Sequence, residues 1–326
     1  MQGSVNCVVL LGPTAVGKTS LAVKLADYFN WEIISADCRQ VYKGLDLGSG
    51  KDLSEYSIVK KDCQGRDYKK EIPYHLIDVT TLDSEYNVFN FQRDFYNLFR
   101  KLNSEKKMAF VCGGTGMYVD SIIRGYDFVP VEENKELRAE LEKKSIEELG
   151  QILLSLKPDL HNKSDLLIRE RIVRAIEIET FMRSPECAEL RKELPARPDL
   201  NILVIGTSLE RPVMRQNIKI RLQQRMDSGM IDEVQGLHQK GYSWERLDKL
   251  GLEYRYISDY LQGKISSVEE MTESLYHAIC QFAKRQETWF RGMEKKGVTI
   301  NWLPKDPDKE IRFGKALEIL GKAGIS

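Results

Sequence analysis

The segment Gly12-Pro13-Thr14-Ala15-Val16-Gly17-Lys18-Thr19 follows the apolar run Val8 to Leu11 and leads into the helix-like stretch Ser20 to Phe29. Strand, glycine-rich turn and helix, in that order, turn the pattern G-x-x-x-x-G-K-S/T into a phosphate cradle. Gly12 and Gly17 allow backbone angles and close approaches that a side chain would block. The N–H groups of Gly12, Pro13's neighbours Thr14 and Ala15, and Val16 to Thr19 then converge on phosphate oxygens at the positive end of the following helix. Lys18 adds a mobile cation. Thr19 adds a hydroxyl ligand for Mg²⁺. The cradle commits the chain to an α/β fold with a P-loop NTPase-like parallel sheet, but it accepts any polyphosphate.

The remaining patterns extend that sheet. Residues 5–11, 32–35, 75–79, 108–112 and 201–206 read as strands, and residues 18–29 and 89–101 as helices; 298–303 reads as a last strand. Strands alternating with helices imply a parallel sheet covered on both faces, with ligands beyond the carboxyl ends of the strands. Thr19, Asp37, Asp78 and Thr115 stand at such ends and are expected to share one crevice. Residues 52–72 are charged and irregular, as in a surface loop. From Glu132 to Leu194 the residues are charged helix formers without a strand-like run. The organisation expected is therefore a core of 1–130 and 196–326, the second part mainly helical, interrupted by a helical insertion at 131–195.

Lysine plus arginine and aspartate plus glutamate number 49 each, so net charge points to no partner and local charge must be read instead. The six cysteines and four histidines show no metal-ligand spacing, which argues against a zinc site and a disulfide framework and fits a reducing cytosol. No run is long enough for a membrane span or a secretory signal. A cytoplasmic monomer that does not engage membranes is expected.

An aspartate at position 37 can be a general base, a group that holds magnesium through its waters, or merely a cap for the next turn. Asp78, ending an apolar run, resembles a Walker B magnesium ligand. Gly113-Gly114-Thr115-Gly116 offers N–H groups and a hydroxyl to the same crevice. Basic residues gather in three groups: Arg211, Arg215, Lys219, Arg221 and Arg225; Arg169, Arg171 and Arg174; and Lys284, Arg285 and Arg291. Each group alone is best read as a solvated helix face. Three beside a phosphate crevice point to a nucleic-acid backbone. Tyr42, Tyr118, Phe282, Trp289 and Phe290 are candidates for base stacking, with core packing the commoner use.

GPTAVGKT, SADCRQVYKGLDLGSGK, PYHLID, GGTGMYV, RIVRAIE and QFAKRQETWFR, in this order from about Val8 to Arg291, resemble the tRNA dimethylallyltransferases. The resemblance implies a P-loop core with a helical insertion. It also implies transfer of a dimethylallyl group from its diphosphate to N6 of the adenine 3′ of the anticodon in tRNA, with Mg²⁺. Arg221 would bind the prenyl diphosphate beside Lys18 and Thr19, and Asp37 would take the amine proton. Thr115 and Arg138 match positions near the substrate tRNA. Asp37, Cys38, Arg39 and Gln40 would meet the extruded base. Arg171 and Arg174, Arg255, and Gln281, Lys284, Arg285 and Gln286 would lie along the RNA of the anticodon stem-loop.

The chain departs from that pattern at Asn217, where the family has arginine, and at Glu253 and Tyr256, Ile279-Cys280 and Thr180-Phe181. Each lost arginine flattens the salt dependence of RNA binding by about one unit of log–log slope. The alternatives are a small-molecule P-loop kinase binding ATP, a prenyltransferase of free adenine nucleotides, and a non-catalytic tRNA-binding paralogue.

Overall fold

A computed structural model describes residues 4–158 and 166–325. The first part of the core runs β1 (Cys7–Leu11), α1 (Lys18–Phe29), β2 (Glu32–Ser35), β3 (Ser57–Lys61), β4 (Asp67–Glu71), β5 (Tyr74–His75), α2 (Val88–Ser104), β6 (Ala109–Gly113) and α3 (Gly116–Ile123). Four helices follow: α4 (Lys135–Glu142), α5 (Ile146–Leu156), α6 (Arg169–Phe181) and α7 (Pro185–Glu193). The chain then returns through β7 (Ile202–Gly206), α8 (Arg211–Asp227), α9 (Met230–Gln239), α10 (Trp244–Asp248), α11 (Leu252–Leu261), α12 (Val268–Lys295), β8 (Asn301–Trp302) and α13 (Lys309–Lys322).

Six strands form one sheet in the order β5-β2-β6-β1-β7-β8, every pair parallel. Its centre is continuous apolar sequence because helices cover both faces. β1 and β6 are buried at every position. Phe91, Phe95 and Phe99 of α2 pack one face, and Leu21, Leu25 and Ala26 of α1 with Ala316 and Leu320 of α13 pack the other. A second cluster joins α8, α9, α11 and α12, where Met271, Leu275, Ile279 and Ala283 recur at helical spacing.

The register decides where chemistry can sit. Leu11 lies opposite Gly113 on one side and Gly206 on the other, and Ser35 lies opposite Cys112. The chain therefore leaves β1, β2, β6 and β7 along one edge, with Gly12, Ala36, Gly114 and Thr207 in a row. Two glycines are demanded by that crowding. A Cβ on Gly12 would stand 2.2 Å from the Thr207 carbonyl oxygen, and one on Gly113 2.3 Å from that of Ala36.

Residues Tyr126–Arg197 separate as a compact unit of their own. Leu141, Leu149, Leu153, Ile172 and Ile176 form its small core. Three of its described helices start at side-chain caps, Asn134 for α4, Ser145 with Glu148 for α5, and Ser184 for α7, while α6 starts at Ile168 without one. Of the stretch expected to be helical, residues 159–165 lie outside the described residues.

Three expectations need correction. Residues 52–72 are not irregular: a 3₁₀ turn at Leu53–Tyr56 leads into the antiparallel hairpin β3–β4, closed by Asp62 accepting from the amides of Gln64 and Arg66. β4 is polar and largely exposed and β3 carries only Ile58 and Val59 as apolar residues, so no apolar alternation announced them. The strand read over 75–79 ends at His75, because Leu76 and Asp78 turn to φ 59° and 54°. The last strand shrinks to Asn301–Trp302, and α13 follows it unannounced.

Candidate active site at the P-loop

Helix α1 begins at Gly17, whose φ of 78° places it in the left-handed region, with Ala15 at 61° two residues earlier. This winding turns successive peptide groups inward. Among the described residues the N–H groups of Val16, Gly17, Lys18 and Thr19 meet no acceptor, so they are free for an anion. The Thr14 amide is different: it donates to Gln286 Oε1 at 2.9 Å. Gln286 Nε2 in turn donates to the Gly114 carbonyl at 2.8 Å, which pins the loop to the end of β6.

The back of the loop is held by carbonyls. Buried Arg312 of α13 donates to the Val16 carbonyl at 2.6 Å, and Asn217 of α8 donates to that of Ala15 at 3.0 Å. In a trans peptide the C=O and the next N–H point in opposite directions. Holding these two oxygens therefore aims the N–H groups of Val16 and Gly17 away from Asn217 and Arg312. Lys18 is half-buried, and loss of hydration pulls its ammonium from 10.5 to about 8. Its Nζ donates to the Pro13 carbonyl at 2.5 Å. The Thr19 hydroxyl has no hydrogen-bond partner among the described residues. Among those residues no three His, Cys, Asp or Glu side chains cluster as metal ligands. That donor set fits Mg²⁺, which keeps its waters and takes phosphate oxygens with one or two protein ligands.

On one side of the loop lies a cavity of about 430 Å³, reached by Lys18, Thr19, Asp37, Thr115, Arg221 and Phe282. The two Asp37 oxygens are not equivalent. Oδ1 accepts from the Arg39 amide at 2.8 Å and the Gln40 amide at 3.4 Å, so it caps the turn. Oδ2 has no partner among the described residues. The cap and the free base are both realised, on different atoms. The Thr115 hydroxyl accepts from the Cys38 amide at 3.1 Å, which leaves its proton to donate. Burial pushes the Cys38 thiol up from its ordinary value. Arg39, Gln40, Arg255 and Arg285 also line this cavity, Arg285 lying over the Phe282 ring at 5.8 Å.

A second cavity of about 610 Å³ opens on the other side of Lys18 and Thr19, and Arg221 and Arg225 border both. The roof over α8 is the stretch 39–51. Glu233 holds it by accepting from the amides of Asp46, Leu47 and Gly48 at 3.1, 2.7 and 3.0 Å and from the Tyr254 hydroxyl at 2.8 Å. Buried Lys51 donates to Asp46, to Asp78 and to the Tyr42 carbonyl.

Asp78 is thus not a Walker B ligand. It borders neither cavity and serves as counter-ion to Lys51. The arginines of the helical unit also have local work. Arg138 forks onto buried Glu177 at 2.7 and 2.8 Å, and Arg174 reaches Glu177 at 3.2 Å and the Val131 carbonyl at 2.7 Å. Arg171 is exposed. Gln281 and Lys284 line a separate hollow with Arg211 and Arg215. Tyr42, Tyr118 and Phe290 are core residues, whereas Phe282 and Trp289 are about 40 % exposed, Trp289 lying against Gly116. Sequence reading missed Arg312, Glu233 and the structural use of Lys51, since an isolated charge far along the chain carries no local signal.

The IPP transferase family profile matches residues 40–293, and an isopentenyl transferase profile matches residues 5–59. The chain belongs to the IPP transferase family. It is 52% identical, over 92% of its length and 96% of the relative's, to "tRNA dimethylallyltransferase 2" of Treponema denticola. It is 44% identical to "tRNA dimethylallyltransferase 2" of Shewanella sediminis over 98% of this chain and 99% of that one. Among solved structures it resembles the tRNA isopentenylpyrophosphate transferase of Bacillus halodurans, at 28% identity and TM-score 0.66 with 98% of both chains covered. Family membership brings the P-loop fold expected from residues 12–19.

Proposed function

We propose that this IPP transferase moves a dimethylallyl group from dimethylallyl diphosphate to N6 of the adenine just 3′ of the anticodon in tRNA. The supporting observation is that Lys18, Thr19 and Arg221 line one cavity together with Asp37 and Thr115. An exocyclic adenine amine is a weak nucleophile, whereas an allylic diphosphate ionises once its leaving group is stabilised. The P-loop amides, Lys18 and Arg221 receive the charge that gathers on the diphosphate as the C1–O bond breaks. Magnesium, when bound, would add charge neutralisation beside the Thr19 hydroxyl. The N6–C1 bond forms, the N6 proton passes to Asp37 Oδ2, and diphosphate leaves.

The adenine reaches Asp37 only if it leaves the anticodon-loop stack. Arg39, Gln40 and Arg255 border the mouth where an extruded base would enter, and Phe282 offers it a stacking face. The helical unit grips the stem-loop in this reading, and the enzyme acts as a cytoplasmic monomer. No described helix is long and apolar enough to cross a membrane.

The test is mass spectrometry of hydrolysates of tRNA incubated with the enzyme and dimethylallyl diphosphate, where N6-prenyladenosine is expected. A kinase would instead be stabilised against heating by ATP and ignore the prenyl diphosphate, and that pair of results would overturn the reading.

A further inference from the structure

Arg221 and Arg225 are one turn apart on α8 and project to the same place. From the point where a Cβ on Gly50 would stand, Arg225 Nη2 is 1.9 Å away and Arg221 Nη2 2.9 Å away. Gly50 itself has φ +69°, so both its backbone and its lack of a side chain make room for the pair. Two guanidinium groups brought this close repel, and an anion bound between or beside them relieves that repulsion. Arg221 has no carboxylate partner among the described residues and donates to the Gly50 carbonyl at 3.1 Å. Arg225 has one, Glu253, at the long distance of 3.6 Å, with both side chains mostly buried. Glu253 aligns Arg225 without neutralising the pair.

Position 217 supplies the other half of the argument. The resemblance places an arginine there, but Asn217 is spent on the Ala15 carbonyl and brings no charge. Arg225, two turns further along α8, restores a second cation at the lining shared by both cavities, with Glu253 of α11 beside it.

We infer that Arg225 is a second diphosphate-binding guanidinium in this chain, held in position by Glu253, and that it replaces the cation absent at residue 217. This rests on the prenyl-transfer reading, with inorganic pyrophosphate as the probe that separates the two. Diphosphate oxygens lie between Lys18 and Arg221 on one side and Arg225 on the other. The developing negative charge is thereby shared by three side-chain cations.

Titration calorimetry with magnesium pyrophosphate tests this on the full chain without any turnover. Arg225→Met is expected to weaken pyrophosphate binding about tenfold to a hundredfold, the scale of a lost charged hydrogen bond, and Arg225→Lys less. It should raise the KM for dimethylallyl diphosphate while leaving that for tRNA unchanged. Adding Asn217→Arg to Arg225→Met should recover at least half of the lost decades of affinity, which no merely structural role for Arg225 would do. Unchanged pyrophosphate affinity in a folded Arg225→Met protein overturns the inference. If that variant does not fold, Glu253→Gln decides: severalfold weaker pyrophosphate binding supports it, and wild-type affinity overturns it. Tight pyrophosphate binding lost in Arg225→Met, with no prenyl transfer by the wild type, would keep this inference and sink the functional reading.

Discussion

At Asp37 the two carboxylate oxygens do different work, one capping the turn into Arg39 and Gln40 and one left for a proton. Asparagine at this position keeps the acceptor on the capping side and removes the base. Asp37→Asn is therefore expected to fold like the wild type and to lose on the order of 10²–10⁴ in turnover, with tRNA affinity nearly unchanged. Retention of full turnover would leave Asp37 as a cap alone. Lys18 carries a pH signature. Its ammonium ionises at about 8 in the unliganded fold, below the 10.5 of an exposed lysine, because burial removes its hydration. A bound diphosphate favours the charged form and returns the pKa upward, so binding takes up a proton above pH 8. Pyrophosphate affinity should hold steady below pH 8 and fall as pH rises beyond it, by about tenfold per unit. In the free protein the same group binds fewer protons than the unfolded chain between about 8 and 10.5, so its contribution to stability rises with pH there. Calorimetry at pH 7, 8 and 9 checks the first sign, and Lys18→Met should abolish the trend.

The elements around the loop act as braces. α13 contributes Arg312, whose guanidinium also reaches Thr207 Oγ1 at 3.3 Å, at the end of β7. Arg312→Met leaves the Val16 carbonyl unpaired and the peptide free to rotate, which should cost about 1–3 kcal/mol of stability. Urea unfolding measures that cost, and pyrophosphate binding should weaken in parallel. In the helical unit, Glu177 accepts from Arg138, Arg174 and the Asn134 amide, and these interactions hold its carboxyl below the usual range against the opposing effect of burial. Glu177→Gln should destabilise this unit by about 2 kcal/mol, less than a fully buried pair because both arginines are about a third exposed. Proteolysis within residues 126–197 at a temperature where the wild type resists would register it. Alanine at Arg138 or Arg174 tests RNA contact only in a protein whose unit has first been shown intact.

For the whole molecule, net charge is zero while cations line the cavity edge, so tRNA binding should be salt-sensitive despite a neutral composition. Arg255→Ala and Arg285→Ala are each expected to lower the slope of log affinity against log salt by about one, as filter binding between low and physiological salt would reveal. An unaltered slope would remove that residue from the RNA path. The loop 39–51 illustrates what sequence could not foresee at this scale. Its glycines and Asp37 stood out, but its shape depends on Glu233 and Tyr254, which lie far along the chain.

The sequence by itself determined the sheet core and the cradle, because buried parallel strands must be continuously apolar and a phosphate turn must have its glycines at set spacing. It also placed Asp37, Thr115 and Arg221 as candidates, through strand ends and a resemblance that spans most of the chain. The hairpin β3–β4 stayed hidden because β4 is polar and β3 has only two adjacent apolar residues, with no alternation. Tertiary structure alone decided which charges share a space. It turned Asp78 from a magnesium ligand into a counter-ion for Lys51, spent Arg138, Arg174 and Gln286 on bonds within the protein, and set Arg225 beside Arg221. Charge pairing is a matter of distance in space, and linear spacing reports it only within a turn or two of helix.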